Sequence, residues 1–89
     1  MPIVQIPTPM RDQSDGLAEV TVSGADVKAC LADLVAKYPG LNSKLFDNGK
    51  LRPFVNVFIN DEDIRYLDDL DTPVSDTQTI ALIPAVAGG

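Results

Sequence analysis

The sequence contains no histidine and no tryptophan, and its only cysteine is Cys30. Without histidine it lacks the side chain that most often acts as a general base near neutral pH. Cys30 therefore has no imidazole partner to activate it as a nucleophile. A single cysteine also excludes an intramolecular disulfide and suits a reducing compartment. If the protein takes part in chemistry, we expect the reactive group to be something other than these side chains.

Long apolar runs and positive charge are also scarce. No apolar run approaches the roughly 20 residues that span a bilayer, so we expect no membrane partner. The start, MPIVQIPTPM, lacks a basic segment followed by a long apolar one, so we expect no signal peptide. The net charge of −6 disfavours nucleic acid as a partner and suits a basic protein surface. We expect a cytoplasmic protein that binds other proteins.

The apolar pattern predicts one domain that is built mainly from strands. At 89 residues with 45% hydrophobic side chains, the chain has enough apolar material for one modest core. Segments with period-two alternation, or rich in β-branched and aromatic residues, are typical of strands. Such segments cover residues 3–6, 17–22, 54–59 and 77–83, and a brief edge strand is expected over 64–67.

One segment follows a helical period instead. From Asp26 to Tyr38 the apolar residues recur every three or four positions, which predicts a single main helix. Ser23 or Asp26 can cap its start, and Pro39-Gly40 provides a stop. With a helical turn expected over 41–47, the order is β-β-α-β-(β)-β. One helix packed on a mixed sheet predicts an α+β roll of the β-grasp, ubiquitin-like kind.

Two of the predicted strands are apolar on both faces. A sheet that is covered by one helix has a core face and an exposed face, so its strands usually alternate apolar and polar residues. Here Phe58 lies on the face opposite Val57, and Ile83 lies on the face opposite Ile80. An uncovered apolar face of this kind is typical of a partner site, which would include Phe58 and Ile83. The alternative is that the turn at 41–46 or the N-terminal strand covers it.

Two other features favour a structural role. A calcium loop that begins at Asp61 would need glycine at its sixth position and glutamate at its twelfth. Tyr66 and Thr72 stand at these positions, so we expect no metal site among the acidic residues of the segment 61–76. Cys30 lies beside the apolar stripe of the helix, where a cysteine is usually a small core residue. A role for Cys30 as a sulfur carrier or nucleophile is the less favoured alternative.

The sequence closes with PAVAGG, residues 84–89. Glycine has no side chain to pack, so this ending is either a frayed terminus or a segment with a purpose. From Pro84 onward it can extend about 20 Å. We expect a β-grasp domain over 1–84 and a flexible tail over 85–89. Pro84 and Val86 would contact a partner, and the slim run Ala87-Gly88-Gly89 would enter a narrow channel, which presents the Gly89 carboxylate as the reactive group.

The ending and two internal segments together resemble one family. TIALI followed by PAVAGG, with FVN at 54–56 and NDEDIR at 60–65, resembles the ubiquitin-like sulfur carriers of the MoaD/ThiS superfamily. Molybdopterin-type members typically end in FPPVAGG. This sequence has IPAVAGG, which lacks the aromatic residue and the second proline. It is therefore more similar to the CysO-like branch, which serves cysteine biosynthesis.

The resemblance implies that the protein is not an enzyme but a protein cosubstrate that donates sulfur. An E1-like adenylating enzyme would use ATP to join Gly89 to AMP, and sulfur would then convert the adenylate into a thiocarboxylate. The acceptor would be a PLP-dependent cysteine synthase, with a metalloprotease to release the product, or the large subunit of molybdopterin synthase. The chain itself would hold no cofactor. The alternative is a ubiquitin-like modifier or interaction module that transfers no sulfur.

Overall fold

The computed structural model describes residues 1–84. Within them, short strands and 3-10 turns surround one long helix. The strands are β1 (Ile3–Gln5), β2 (Glu19–Thr21), β3 (Phe46–Asp47), β4 (Lys50–Leu51), β5 (Val55–Ile59), β6 (Glu62–Asp63) and β7 (Thr79–Pro84). The helices are α1 (Val27–Lys37) and α2 (Asn42–Leu45), and 3-10 turns cover Thr8–Gln13, Pro39–Leu41, Ile64–Tyr66 and Asp69–Asp71.

The main sheet is mixed, and β7 lies at its centre. The strand order among residues 1–84 is β2-β1-β7-β5-β6. β1 pairs with β2 antiparallel and with β7 parallel, while β5 pairs antiparallel with both β7 and β6. A parallel pair needs a crossover connection, and the segment that contains α1 is part of that connection. This mixed sheet with α1 packed on it is the predicted α+β, β-grasp roll.

Helix α1 begins where the sequence provides a cap. Asp26 has an extended backbone, and its Oδ1 accepts a hydrogen bond of 2.7 Å from the backbone N–H of Ala29. Such a cap satisfies one of the amide donors that a helix leaves free at its first turn. Asp26, rather than Ser23, is therefore the N-cap. The buried residues of the helix are Val27, Cys30, Leu31 and Leu34.

The core lies between α1 and the inner face of the sheet. Alternate residues of the central strands point into it, so that Val57, Ile80 and Leu82 are almost completely buried. Full burial of a side chain of this size contributes about 1.5–3 kcal/mol relative to exposure. The segment around α2 closes one end of the core with Leu41 and Leu45, both of which are fully buried.

The predicted edge strand over 64–67 is wrong. The edge strand is β6, two residues earlier in the chain, and Ile64–Tyr66 forms a 3-10 turn. The change of structure occurs at Asp63, whose Oδ1 accepts a hydrogen bond from the backbone N–H of Arg65 at 2.9 Å. This local bond caps the turn and so competes with extension of the strand.

Two turns set the remaining strand boundaries. β5 begins at Val55 rather than Phe54, because the backbone N–H of Val55 donates to the carbonyl of Arg52 across a turn that contains Pro53. Asn48 and Gly49 both have positive φ, 54° and 77°, and join β3 to β4. Asn and Gly in a two-residue hairpin loop favour that backbone, so the turn signal at Asn48-Gly49 marks a hairpin.

Candidate partner-binding face

The outer face of the sheet, opposite α1, brings together residues from three strands. We define it by Gln5, Asn56, Phe58, Ala81 and Ile83. Ala81 is paired with Gln5 on one side and with Phe58 on the other, and Asn56 is paired with Ile83. Phe58 is half-buried, whereas Ile83 is 45% exposed. The structure therefore places Phe58 and Ile83 on one surface, as the sequence pattern predicts, and their binding role stays a prediction.

Neither the segment 41–46 nor the N-terminal strand lies over this face. The side chains of Leu41 and Leu45 in the segment after α1 are directed into the core. The N-terminal strand β1 is a member of the sheet and pairs with β7 edge to edge. Within residues 1–84, the outer face thus remains accessible beside Ile83.

A charged cluster borders the outer face at β6. The Arg65 guanidinium contacts the Asp63 carboxylate, with 2.6 Å between Nη2 and Oδ2, and also donates to the side-chain oxygen of Asn56. The hydrogen bond from Arg65 lowers the pKa of Asp63, and the same contact raises the pKa of Arg65. This cluster is absent from the sequence-based predictions, because Asn56 becomes a neighbour of the local pair Asp63 and Arg65 only when β5 and β6 pair.

The carboxyl end of β7 lies against a second group of side chains. Pro84 is half-buried, is paired with Val55 of β5, and lines a groove together with Lys44, Arg52 and Phe54. The Arg52 guanidinium carbon is 5.7 Å from the centroid of the Phe54 ring, a cation–π distance. Pro84, a predicted partner contact, therefore has an aromatic and basic neighbourhood.

The remaining predicted site residues lie outside the described residues. They are Val86, Ala87, Gly88 and Gly89, with Ala85 before them. Their predicted contacts and channel entry, and the division of the chain at 84/85, stay predictions. What the structure does define is their point of attachment: they follow a strand that is hydrogen-bonded on both sides, by β1 and by β5.

Cys30 is fully buried in α1, as expected for a core residue. Its Sγ lies 3.6 Å from the carbonyl oxygen of Gly24. Burial raises the pKa of the Cys30 thiol, and the charges of Asp26 and Asp33 raise it further. A thiol with a raised pKa forms little thiolate near neutral pH, and thiolate is the nucleophilic form. The environment of Cys30 therefore opposes a reactive role.

Within residues 1–84, no group of cysteine and acidic side chains is arranged to hold a metal ion. No helix in that range is long and apolar enough to cross a membrane.

Comparison with known proteins gives full-length similarity. A family model described as the ThiS family matches residues 4–89. The sulfur carrier protein CysO of Mycobacterium tuberculosis is 42% identical over 89 residues, which cover 97% of this chain and 96% of that protein. Small archaeal modifier protein 3 of Haloferax volcanii is 37% identical over 65 residues, which cover 73% of this chain and 71% of that protein.

Comparison of folds agrees with the sequence comparison. The crystal structure of the Amycolatopsis orientalis BexX/CysO complex contains a chain that superposes with a TM-score of 0.93 at 37% identity, and all of both chains is covered. The strand order and the position of α1 are thus those of a known β-grasp protein, which confirms the predicted fold class.

Proposed function

The chain belongs to the ThiS family, and we propose that it is a ubiquitin-like sulfur carrier that delivers sulfur from the Gly89 carboxylate. It is a small carrier protein and not itself an enzyme. The observation that carries the proposal is its similarity to the sulfur carrier CysO, which extends over nearly the whole of both chains. The family match also runs through residue 89 and so includes both glycines.

The geometry of the described residues supports this function in two ways. β7 is the central strand, so the segment that follows it is attached to a rigid base rather than to an edge. The outer face beside that strand exposes Ile83 and part of Phe58, which suits a protein that must bind an enzyme while its terminus is processed. Within residues 1–84 the lone thiol, Cys30, is buried and therefore unsuited to carry the sulfur.

The proposed chemistry takes place in the active sites of partner enzymes. An E1-like adenylating enzyme would transfer AMP from ATP to the Gly89 carboxylate and release pyrophosphate. A sulfur nucleophile would then displace AMP and leave a thiocarboxylate on Gly89. ATP is a substrate of that enzyme, and the chain itself needs no cofactor. We place these steps in the cytoplasm, where ATP is available.

We propose an acceptor in cysteine biosynthesis, by analogy with the CysO relatives. The acceptor would be a PLP-dependent cysteine synthase that holds an activated serine derivative, and a metalloprotease would then release the product from Gly89. The second candidate acceptor is the large subunit of molybdopterin synthase. Purification of the thiocarboxylate form and incubation with each acceptor enzyme would distinguish the two pathways.

The activation step has a direct test. After incubation with the E1-like enzyme, ATP and a sulfur source, the intact mass should change by the replacement of one oxygen by sulfur, and tandem mass spectrometry should locate that change on Gly89. A variant with one residue added after Gly89 should not react, although its melting temperature should be unchanged. Gly88→Val should also fail, because a β-branched side chain widens and stiffens the segment. Reaction of the untrimmed extended variant would contradict the proposal.

A protein modifier is the second candidate function. It is favoured by the similarity to small archaeal modifier protein 3 of Haloferax volcanii. In that case Gly89 would form an isopeptide bond with lysine side chains of other proteins. Recovery of the chain from cells under denaturing conditions, followed by mass spectrometry, would detect such conjugates. A thiocarboxylate without conjugates would favour the carrier.

A further inference from the structure

The groove beside the end of β7 is basic, although the chain has a net charge of −6. Its described lining includes Met10, Lys44, Arg52, Phe54 and Pro84. None of the described residues that line it is acidic. Lys44 and Phe54 are exposed, and Arg52 is half-buried. The groove therefore combines two positive charges with an accessible aromatic ring.

Arg52 is held in place at both its backbone and its side chain. Its backbone N–H donates to the carbonyl of Leu45 at 2.8 Å, and its Nε donates to the carbonyl of Ser43 at 2.9 Å. Its guanidinium carbon also lies over the Phe54 ring, 5.7 Å from the ring centroid. A side chain that is already ordered loses less conformational entropy when it binds a partner.

Among residues 1–84, the Nη groups of the ordered guanidinium have no hydrogen-bond partner. Nε is used by Ser43, and none of the ion pairs or side-chain hydrogen bonds among residues 1–84 engages the two Nη groups of Arg52. Arg65 differs, because its guanidinium is bound to Asp63 and Asn56. A planar guanidinium with free donors matches the two oxygens of a carboxylate. Arginine and aromatic side chains are also enriched among the residues that dominate interface energy.

The groove lies at the carboxyl end of β7, where a protein that binds the last residues of the chain comes close to it. Pro84 lines the groove and pairs with Val55, so the point at which residues 85–89 are attached lies at the edge of the groove. An enzyme that receives Gly89 must therefore approach Arg52 and Lys44 with the surface around its channel entrance. We propose that this groove binds an acidic segment of the adenylating enzyme, in which a glutamate or aspartate contacts Arg52 and an apolar neighbour contacts Phe54. This inference rests on the proposed function.

Steady-state kinetics of ATP–pyrophosphate exchange test the inference, with the E1-like enzyme that converts the wild-type chain. Arg52→Ala should raise the KM for the chain about tenfold, as expected for an interface anchor, and leave the KM for ATP unchanged. Arg52→Lys should recover only part of the loss, because lysine lacks the planar fork. Lys44→Glu should also raise the KM, and higher salt should reduce the difference from wild type.

Lys28→Ala is the matched control, because Lys28 is an exposed cation on α1, away from the groove. It should change the KM for the chain less than about twofold. The inference is overturned if Arg52→Ala and Lys44→Glu leave that KM unchanged while both variants keep the wild-type melting temperature. It is also overturned if Lys28→Ala has an equal effect, or if only the KM for ATP changes, which would indicate a phosphate site. A wild-type chain that no such enzyme converts would instead contradict the proposed function itself.

Discussion

Arg65 binds Asp63 through three of its nitrogen atoms. The backbone N–H donates to Oδ1 at 2.9 Å, Nε lies 3.1 Å from the same oxygen, and Nη2 lies 2.6 Å from Oδ2. The Asp63 side chain is only 8% exposed, whereas that of Arg65 is 58% exposed. Asp63 therefore ends β6, caps the following turn and holds Arg65 at the border of the outer face.

This contact predicts a pH-dependent contribution to stability. Because Arg65 lowers the pKa of Asp63, the folded state binds fewer protons there than the unfolded state. The contribution is present above the unfolded pKa, near 3.9, and is lost as the pH falls through the folded pKa. Asp63→Asn should therefore lower the free energy of unfolding most near neutral pH, with a smaller difference from wild type in acid. Urea denaturation at several pH values measures it. A difference that is constant with pH, or equal for exposed Asp61→Asn, would contradict the assignment.

Phe58→Ala should separate binding from stability. Phe58 is half-buried on the outer face, so its truncation should cost well below the ~3–5 kcal/mol of a buried phenylalanine, while binding to the E1-like enzyme weakens. Ile80→Ala is the control from the inner face of the neighbouring strand, and it should cost ~2–5 kcal/mol. Thermal unfolding and binding titrations measure the two effects. A full core-sized loss of stability in Phe58→Ala would show that its face is misassigned.

Cys30→Ala should leave sulfur transfer intact. The thiol is fully buried, and the substitution removes only the sulfur atom, so we expect a small loss of stability from the resulting cavity. Thiocarboxylate formation on Gly89, followed by mass spectrometry, measures the transfer. A folded Cys30→Ala protein that no longer accepts sulfur would show that the thiol takes part in the reaction.

Gly24→Ala should destabilise the domain through a backbone clash. A Cβ atom at Gly24 would lie 2.6 Å from the backbone nitrogen of Cys30 and 2.8 Å from the carbonyl carbon of Ala29. Because these atoms belong to the first turns of α1, relief requires a shift of the helix, and we expect a cost of about 1–3 kcal/mol. Differential scanning calorimetry should show a fall of roughly 4–8 °C per kcal/mol. An unchanged melting temperature would mean that α1 moves freely at this point.

The longer strand and the main helix were predictable, because the apolar period of such an element is carried by its own residues. The apolar alternation over 54–59 reports which side chains point inward, and the structure buries Val55, Val57 and Ile59 accordingly. Asp26 is one of the two caps that the sequence offers, and the structure selects it over Ser23. Strands of two residues, such as β3 and β6, have too few positions to show a period. Their existence depends on turns, so the apolar pattern predicts the edge strand two residues too late.

The candidate surfaces were predictable only in part. Phe58 and Ile83 could be assigned to one face, because the side chains of a strand alternate. The approach of Arg65 to Asn56 depends on the pairing of β5 with β6, and the cation–π contact of Arg52 with Phe54 depends on a turn at Pro53. Contacts that tertiary structure creates between polar side chains leave no period in a sequence.

The central position of β7 also has a mechanical consequence. β7 is hydrogen-bonded along one edge to β1 and along the other to β5. A pull on the carboxyl end of β7 acts along the strand, at right angles to bonds that run between strands. The bonds of both ladders are then loaded together in shear, instead of opening one after another as they do when an edge strand is peeled away. Withdrawal from a tight channel, or traction by a degradation machine on the glycine end, would thus load both ladders of the central strand at once.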